Sequence, residues 1–198
     1  MSKNYLLYRD VKLNDLVFDD WKKYGGCTVT YGGDHLYIKT PWIKNAFGLQ
    51  TFTNDKGINT YTANFSLDDK TPIVKEFKDF MVSLDNLLHE ATLQMKENKN
   101  ENLTWLSPIK PARNPKYPDT LRVKLKTIDD YFDLTIASNN GNENTASVGR
   151  LQNFLNHGSQ YRCVIELLPL WKFSGRAGST WKVVRIEKRQ SSKYPYQK

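Results

Sequence analysis

Flat rings and cations recur side by side in this 198-residue sequence. Lys39 stands just before Pro41-Trp42-Ile43-Lys44. Arg113, Lys116 and Tyr117 share a proline-rich stretch, and Trp171-Lys172-Phe173 is followed by Arg176 and then by Trp181-Lys182. Arg122, Lys124 and Lys126 alternate with Leu121, Val123 and Leu125, a pattern that on a strand places the charges on one face, about 6.6–7 Å apart. An unpaired nucleic-acid strand needs these two ingredients: cations for its phosphates and π-faces for its bases, each stack contributing about 1–3 kcal/mol whatever the base. The candidate contacts are therefore Lys39, Trp42, Lys44, Arg113, Lys116, Tyr117, Arg122, Lys124, Lys126, Trp171, Lys172, Phe173, Arg176 and Lys182. Trp181 and Trp105 read as core residues. Lys172, Arg176 and Lys182 are expected at the surface, because lysine and arginine are rarely buried without partners. No frame of base-reading side chains is visible, so little sequence preference is expected.

Other chemistries lack their residues. His35, His89 and His157 are isolated from one another and from Cys27 and Cys163, with no paired metal spacing. Gly175-Arg176-Ala177-Gly178-Ser179 resembles a phosphate loop only superficially, since it joins two strands and lacks the following helix. Asp19-Asp20, Asp68-Asp69 and Asp129-Asp130 are of a type that nucleases use for magnesium, but adjacent carboxylates on a strand point to opposite faces. The sequence is thus expected to be non-enzymatic, with neither cofactor nor metal. The two cysteines lie far apart in apparent strands, which speaks against a disulfide framework and for an intracellular, reducing compartment.

The formal charge is +8, from 29 basic and 21 acidic residues. Most of the excess lies in Lys172–Lys198, where Glu187 is the one acid, and in the run Lys110, Arg113, Lys116, Arg122, Lys124 and Lys126. Concentrated positive charge of this kind favours a polyanionic partner. No stretch is long and apolar enough for a membrane span, and Met1-Ser2-Lys3-Asn4 has no secretory hydrophobic block.

The elements that must hold these side chains are mostly strands. Tyr61, Ala63, Phe65 and Leu67 alternate with polar residues, as do Leu121, Val123 and Leu125, and then Phe132, Leu134 and Ile136. Cys27–Tyr31, Gly32-Gly33-Asp34 and Leu36–Ile38 predict a hairpin. Tyr161–Trp171 and Trp181–Ile186, joined by the glycine-bearing 174–179, predict a closing hairpin. One long helix is predicted over 72–96, with Thr71 as N-cap, Pro72 at its first position and a stripe of Ile73, Phe77, Phe80, Leu84, Leu87, Leu88, Ala91 and Met95. Val148–Leu155 predicts a short helix, and His89 reads as structural. The four prolines of 108–118 predict a surface loop, 139–144 a mobile asparagine-rich loop. The fold class is mainly β with helical insertions: a closed or nearly closed barrel, extra strands and one long amphipathic helix.

The C-terminal third then brings a family into view. Val148-Gly149-Arg150-Leu151, Gly158 to Leu167, Leu170-Trp171 and Gly178-Ser179-Thr180-Trp181-Lys182-Val183-Val184 resemble the end of the OB-fold single-stranded DNA-binding proteins of nucleocytoplasmic large DNA viruses and their podovirus-type phage relatives. The resemblance covers about 40 residues; the rest agrees in general layout. It implies a five-stranded OB-like barrel over 1–188 with the helix inserted at 72–96. The implied role is coating of single-stranded DNA during viral replication, recombination and repair in the host cytoplasm or nucleus, as a homodimer and with replication enzymes as further partners. Phage members carry an acidic tail that recruits those enzymes. Here the tail, 189–198, is basic and aromatic, and is expected to be flexible and free to add contacts to nucleic acid. The competing expectation is a virion or capsid-associated structural protein, with the cations on packaged DNA and the rings at a protein interface.

Overall fold

The computed structural model describes residues 5–22, 26–99, 101–129, 131–138, 141–143 and 146–190. Five strands close into a barrel: β1 (Ile43–Thr53), β2 (Asn59–Leu67), β3 (Asp119–Leu125), β4 (Gln160–Leu167) and β5 (Trp181–Lys188). Their order round the barrel is β1-β2-β3-β5-β4 and back to β1. Only the β3–β5 contact is parallel; the remaining ladders are antiparallel. Closure comes from two pairs, Gln160 with Lys44 and Tyr161 with Ile43.

The alternation seen in the sequence explains the wall. Ala63, Phe65 and Leu67 of β2 pair with Val123, Leu121 and Asp119 of β3, and the apolar members of these pairs are buried in the core with Tyr161, Ile165, Trp181 and Val183. The intervening residues of β3, Arg122 and Lys124, stay exposed. Trp181 is a core residue, 1% exposed. The 26–38 region forms the expected hairpin, Val29–Tyr31 against Asp34–His35. Gly32 (φ 61°) and Gly33 (φ 86°) supply the left-handed turn that any side chain would strain. Tyr37–Lys39 then joins the outer edge of β4. The β4–β5 hairpin is present and carries a second, smaller hairpin, Trp171–Phe173 with Arg176–Gly178, which pairs with Thr104–Leu106. Cys27 and Cys163 are free and buried. Burial pushes both thiols up, that of Cys27 to about 11.

Among the described residues, two α-helices decorate the barrel. Helix α1 (Pro72–Gln94) starts where predicted, but Thr71 caps through its backbone: its carbonyl accepts from the N–H groups of Val74 and Lys75 while its side chain makes no cap bond. The buried stripe is Val74, Phe77, Met81, Leu84 and Leu88, so Ile73 faces solvent and the helix is rotated slightly from the predicted seam. It ends before residue 96 because Met95 turns extended (φ −64°, ψ 140°). The buried Asn98 then donates to the carbonyl of Thr92 at 2.7 Å, satisfying a terminal acceptor. Buried Asp85 accepts from Trp105 Nε1 and Ser179 Oγ, both at 3.1 Å, and ties α1 to the small sheet. Trp105 is half-buried and stacks on His89 with centroids 5.1 Å apart.

Helix α2 (Val148–Phe154) lies between β3 and β4, capped by Ser147, whose hydroxyl accepts from Arg150 N–H at 3.3 Å. Ser147→Ala is expected to cost about 1 kcal/mol, read from the urea midpoint. Within the asparagine-rich stretch, Gly141–Glu143 is a strand paired with Thr135–Ser138 rather than loop; residues 139, 140 and 144 lie outside the described residues, as do Asp130 and the tail from 191 onward.

Candidate nucleic-acid interface

A groove of about 660 Å³ runs over the outer face of β1, β2 and β3. Its near wall is made by an irregularity in β1. Asn45 pairs with Phe65 and Leu49 with Ala63, so the Ala46-Phe47-Gly48 segment bulges opposite the single residue Asn64. Gly48 adopts φ 77°, which a side chain would strain. The α2–β4 connection clasps the bulge: Gly158 N–H donates to Asn45 carbonyl at 2.8 Å, Asn45 N–H to Ser159 carbonyl at 2.9 Å, and His157 Nδ1 to Ala46 carbonyl at 2.5 Å. Phe47 is thereby held out of the barrel with 61% of its surface exposed.

The far wall is the proline segment. Ile109–Lys110 adds a short strand to β3, and Ala112 N–H donates to Asp119 Oδ1 at 3.0 Å, so both ends of the segment are tied to the sheet. The chain between them carries Arg113 and Tyr117 along the groove, Tyr117 being 70% exposed. The floor is the outer row of β2 and β3, with Arg122 over Asn64 (Nε to Oδ1, 3.4 Å).

Four cations border this groove: Lys44, Lys110, Arg113 and Arg122. Among the described residues none of them is paired with a carboxylate, whereas Lys75, Lys78, Arg162, Lys172 and Lys182 all are. Burial, and then the positive charge of Arg122, hold the Lys110 ammonium below its ordinary pKa. An anion lying between the two would relieve that repulsion. The groove thus presents unneutralised cations between two exposed rings.

That fold has solved counterparts. The chain is similar to the single-stranded DNA-binding protein from bacteriophage Enc34 in complex with ssDNA (TM-score 0.55, 13% identity, 89% of this chain and 96% of that one). It is also similar to gp2.5, a single-stranded DNA-binding protein encoded by bacteriophage T7 (TM-score 0.53, 11% identity, 82% of this chain and 96% of that one). No family model and no curated protein matches the sequence. What is shared is the fold, a closed five-stranded OB-like barrel.

Of the residues singled out in the sequence, the groove gathers Lys44, Arg113, Tyr117 and Arg122. Lys116 is exposed beside Tyr117 but does not line it. Lys124 and Lys126 are exposed farther along β3 and just past its end. Lys39 lies elsewhere, in a second recess of about 540 Å³ with Arg162 and Glu187. Trp42 has its face covered by the Arg162 guanidinium at 4.7 Å from the ring centroid.

Lys172 and Lys182, expected at the surface, are instead mostly buried in structural ion pairs. Lys172 Nζ donates to Asn98 Oδ1 and Glu101 Oε1, both at 2.8 Å, and sits 5.6 Å from the Trp21 ring. Lys182 pairs with the buried Glu166 at 3.0 Å and with Asp133 at 3.6 Å. Trp171 is half-buried, donating from Nε1 to Thr180 Oγ1 at 3.1 Å and packed so closely on Gly178 that a Cβ there would meet its ring at 2.9 Å. Phe173 (78% exposed) and Arg176 are at the surface on the small hairpin, outside the groove.

Sequence reading missed Phe47, Lys110 and His157. Gly48 inside an otherwise regular strand was the available signal for the first, since an isolated strand glycine often marks a bulge.

Proposed function

We propose that this chain binds single-stranded DNA in the groove over β1, β2 and β3, and that it coats unpaired strands with no defined sequence frame. The observation that carries the reading is the convergence of four cations lacking carboxylate partners with the exposed rings of Phe47 and Tyr117. Structural ion pairs would neutralise such cations, as they do Lys172 and Lys182; a phosphodiester backbone is the partner that fits the groove ones. The face is also the one that OB folds commonly use for oligonucleotides, together with the loops between strands one and two and between strands four and five. Phe173 and Arg176, on the hairpin between β4 and β5, act as peripheral contacts in this reading, and Lys124 and Lys126 extend the basic track.

The protein acts without catalysis, in replication, recombination and repair of a viral genome. Two phage proteins of the same fold that bear the name single-stranded DNA-binding protein support the viral setting. The source in a nucleocytoplasmic large DNA virus rests on the C-terminal sequence resemblance.

Titration of fluorescent oligo-dT, with a duplex of equal length as control, tests the reading. Single strands are expected to bind more tightly, with log affinity falling linearly with log salt by about 0.7 per phosphate contact. Lys110→Ala and Arg122→Ala should each flatten that slope by about 0.7. Salt-independent binding, or equal affinity for the duplex, sinks it.

A further inference from the structure

Four amide side chains border the groove, and each has its oxygen occupied by a protein donor. Asn64 Oδ1 accepts from Arg122 Nε at 3.4 Å, and Asn64 Nδ2 in turn donates to Gln50 Oε1. Asn114 Oδ1 accepts from the Lys116 N–H at 3.0 Å, and Asn45 Oδ1 from the Phe47 N–H at 3.4 Å. These orientations are forced. The guanidinium and the two backbone N–H groups can only donate, so each amide must turn its oxygen to them, and the relay from Arg122 through Asn64 then fixes Gln50. Asn45 is fully buried. Gln50 and Asn114 are exposed, and each keeps its NH2 for a ligand while one lone pair of its oxygen is already engaged. The four cations also only donate. Beyond the second lone pairs of these amide oxygens, acceptor capacity among the lining side chains lies in the rotatable hydroxyls of Ser66, Thr120 and Tyr117 and in His157, whose Nδ1 already serves Ala46.

We propose that this donor-rich groove favours bases carrying an oxo group at pyrimidine C4 or purine C6, thymine or uracil and guanine, over those carrying an amine at that position, cytosine and adenine. The inference rests on the reading that an unpaired strand occupies the groove with bases stacked at Phe47 and Tyr117. A base stacked there turns its edge to the floor. The 4-oxo group of uracil accepts a hydrogen bond from Gln50 Nε2 or Asn114 Nδ2. Cytosine sets an NH2 donor at the same ring position, donor faces donor, and one is left desolvated and unpaired. The two pyrimidines stack similarly, so the difference between them falls on the edge. The result is a composition preference that needs no reading frame.

The experiment compares oligodeoxyuridylate with oligodeoxycytidylate of equal length at mildly alkaline pH, by fluorescence anisotropy, on the wild-type chain and on Gln50→Glu. Uridylate is expected to bind about tenfold more tightly, one hydrogen bond made against one buried donor unpaired. In Gln50→Glu one carboxylate oxygen keeps the Asn64 bond and the other offers the groove an acceptor, so the preference should fall to parity or turn toward cytidylate. Gln50 is exposed, and the substitution leaves the barrel core untouched. Salt-sensitive binding with equal affinity for both homopolymers, or an unchanged preference in Gln50→Glu, overturns keto selection and leaves strand binding standing. No salt-sensitive binding to either homopolymer overturns the strand-binding reading, and keto selection with it.

Discussion

Replacing Phe47 and Tyr117 together by alanine is expected to weaken oligo-dT binding by about 2–6 kcal/mol, at 1–3 kcal/mol per lost stack, or roughly thirtyfold to beyond ten-thousandfold. The fold should be indifferent to the change. Both rings are mostly exposed, at 61% and 70%, so neither contributes much burial to stability. The salt slope should also hold, because no cation is removed. Affinity by anisotropy, slope by salt titration and stability by urea unfolding separate these effects. Phe173→Ala is the comparison: that ring is even more exposed but lies outside the groove, so as a peripheral contact it should cost much less affinity. If Phe173→Ala weakens binding as much as the double substitution, the bases stack on the small hairpin and the groove assignment is wrong.

The second large effect is on stability. Lys182→Met keeps most of the side chain's packing but leaves Glu166, 7% exposed, without its 3.0 Å partner. His35 stands 3.7 Å from the other carboxylate oxygen, too far and too exposed to replace the ammonium. An uncompensated buried carboxylate typically costs about 3–5 kcal/mol, whereas the intact pair is worth far less than that figure suggests. Lys182→Met should therefore lower the urea midpoint strongly, and adding Glu166→Met should restore most of the loss. Oligo-dT affinity of the folded fraction should stay within about threefold of wild type, the size of a single distant charge effect. A large affinity loss with unchanged stability would return Lys182 to the binding track.

This contrast shows what was legible in the sequence. Alternation along β2 and β3 is a local property, and it gave both the inward residues and the outward Arg122 and Lys124. The hairpin at Gly32-Gly33 and the helix start at Pro72 are likewise written in neighbouring residues. Which cation is free and which is neutralised is not local. Lys172 is held by Glu101 across about 70 residues of chain, and Lys182 by Glu166 across the β4–β5 ladder. Composition shows all of them as equivalent positive charges. Trp171 and Tyr117 also look alike as rings beside lysines. One packs on Gly178 and the other projects from a proline segment, and only the tertiary arrangement distinguishes them. Lys110 stood in the basic run but beside no flat ring, and what brings it to the groove is the sheet pairing of Ile109 and Lys110 with β3.

The interruption of β1 has a consequence for how this architecture can change. Asn45 and Leu49 are four positions apart where their partners Phe65 and Ala63 are two apart, so the excess is an even number. Side-chain parity is the same on both sides of it. Shortening or lengthening this rim by a pair of residues would reshape the mouth of the groove while Ile43 keeps its inward aim and Gln50 its outward one. A change of a single residue would instead invert everything beyond it, sending Gln50 and Phe52 toward the apolar interior. The lineage of this barrel is thus free to retune its aperture, but only in steps of two.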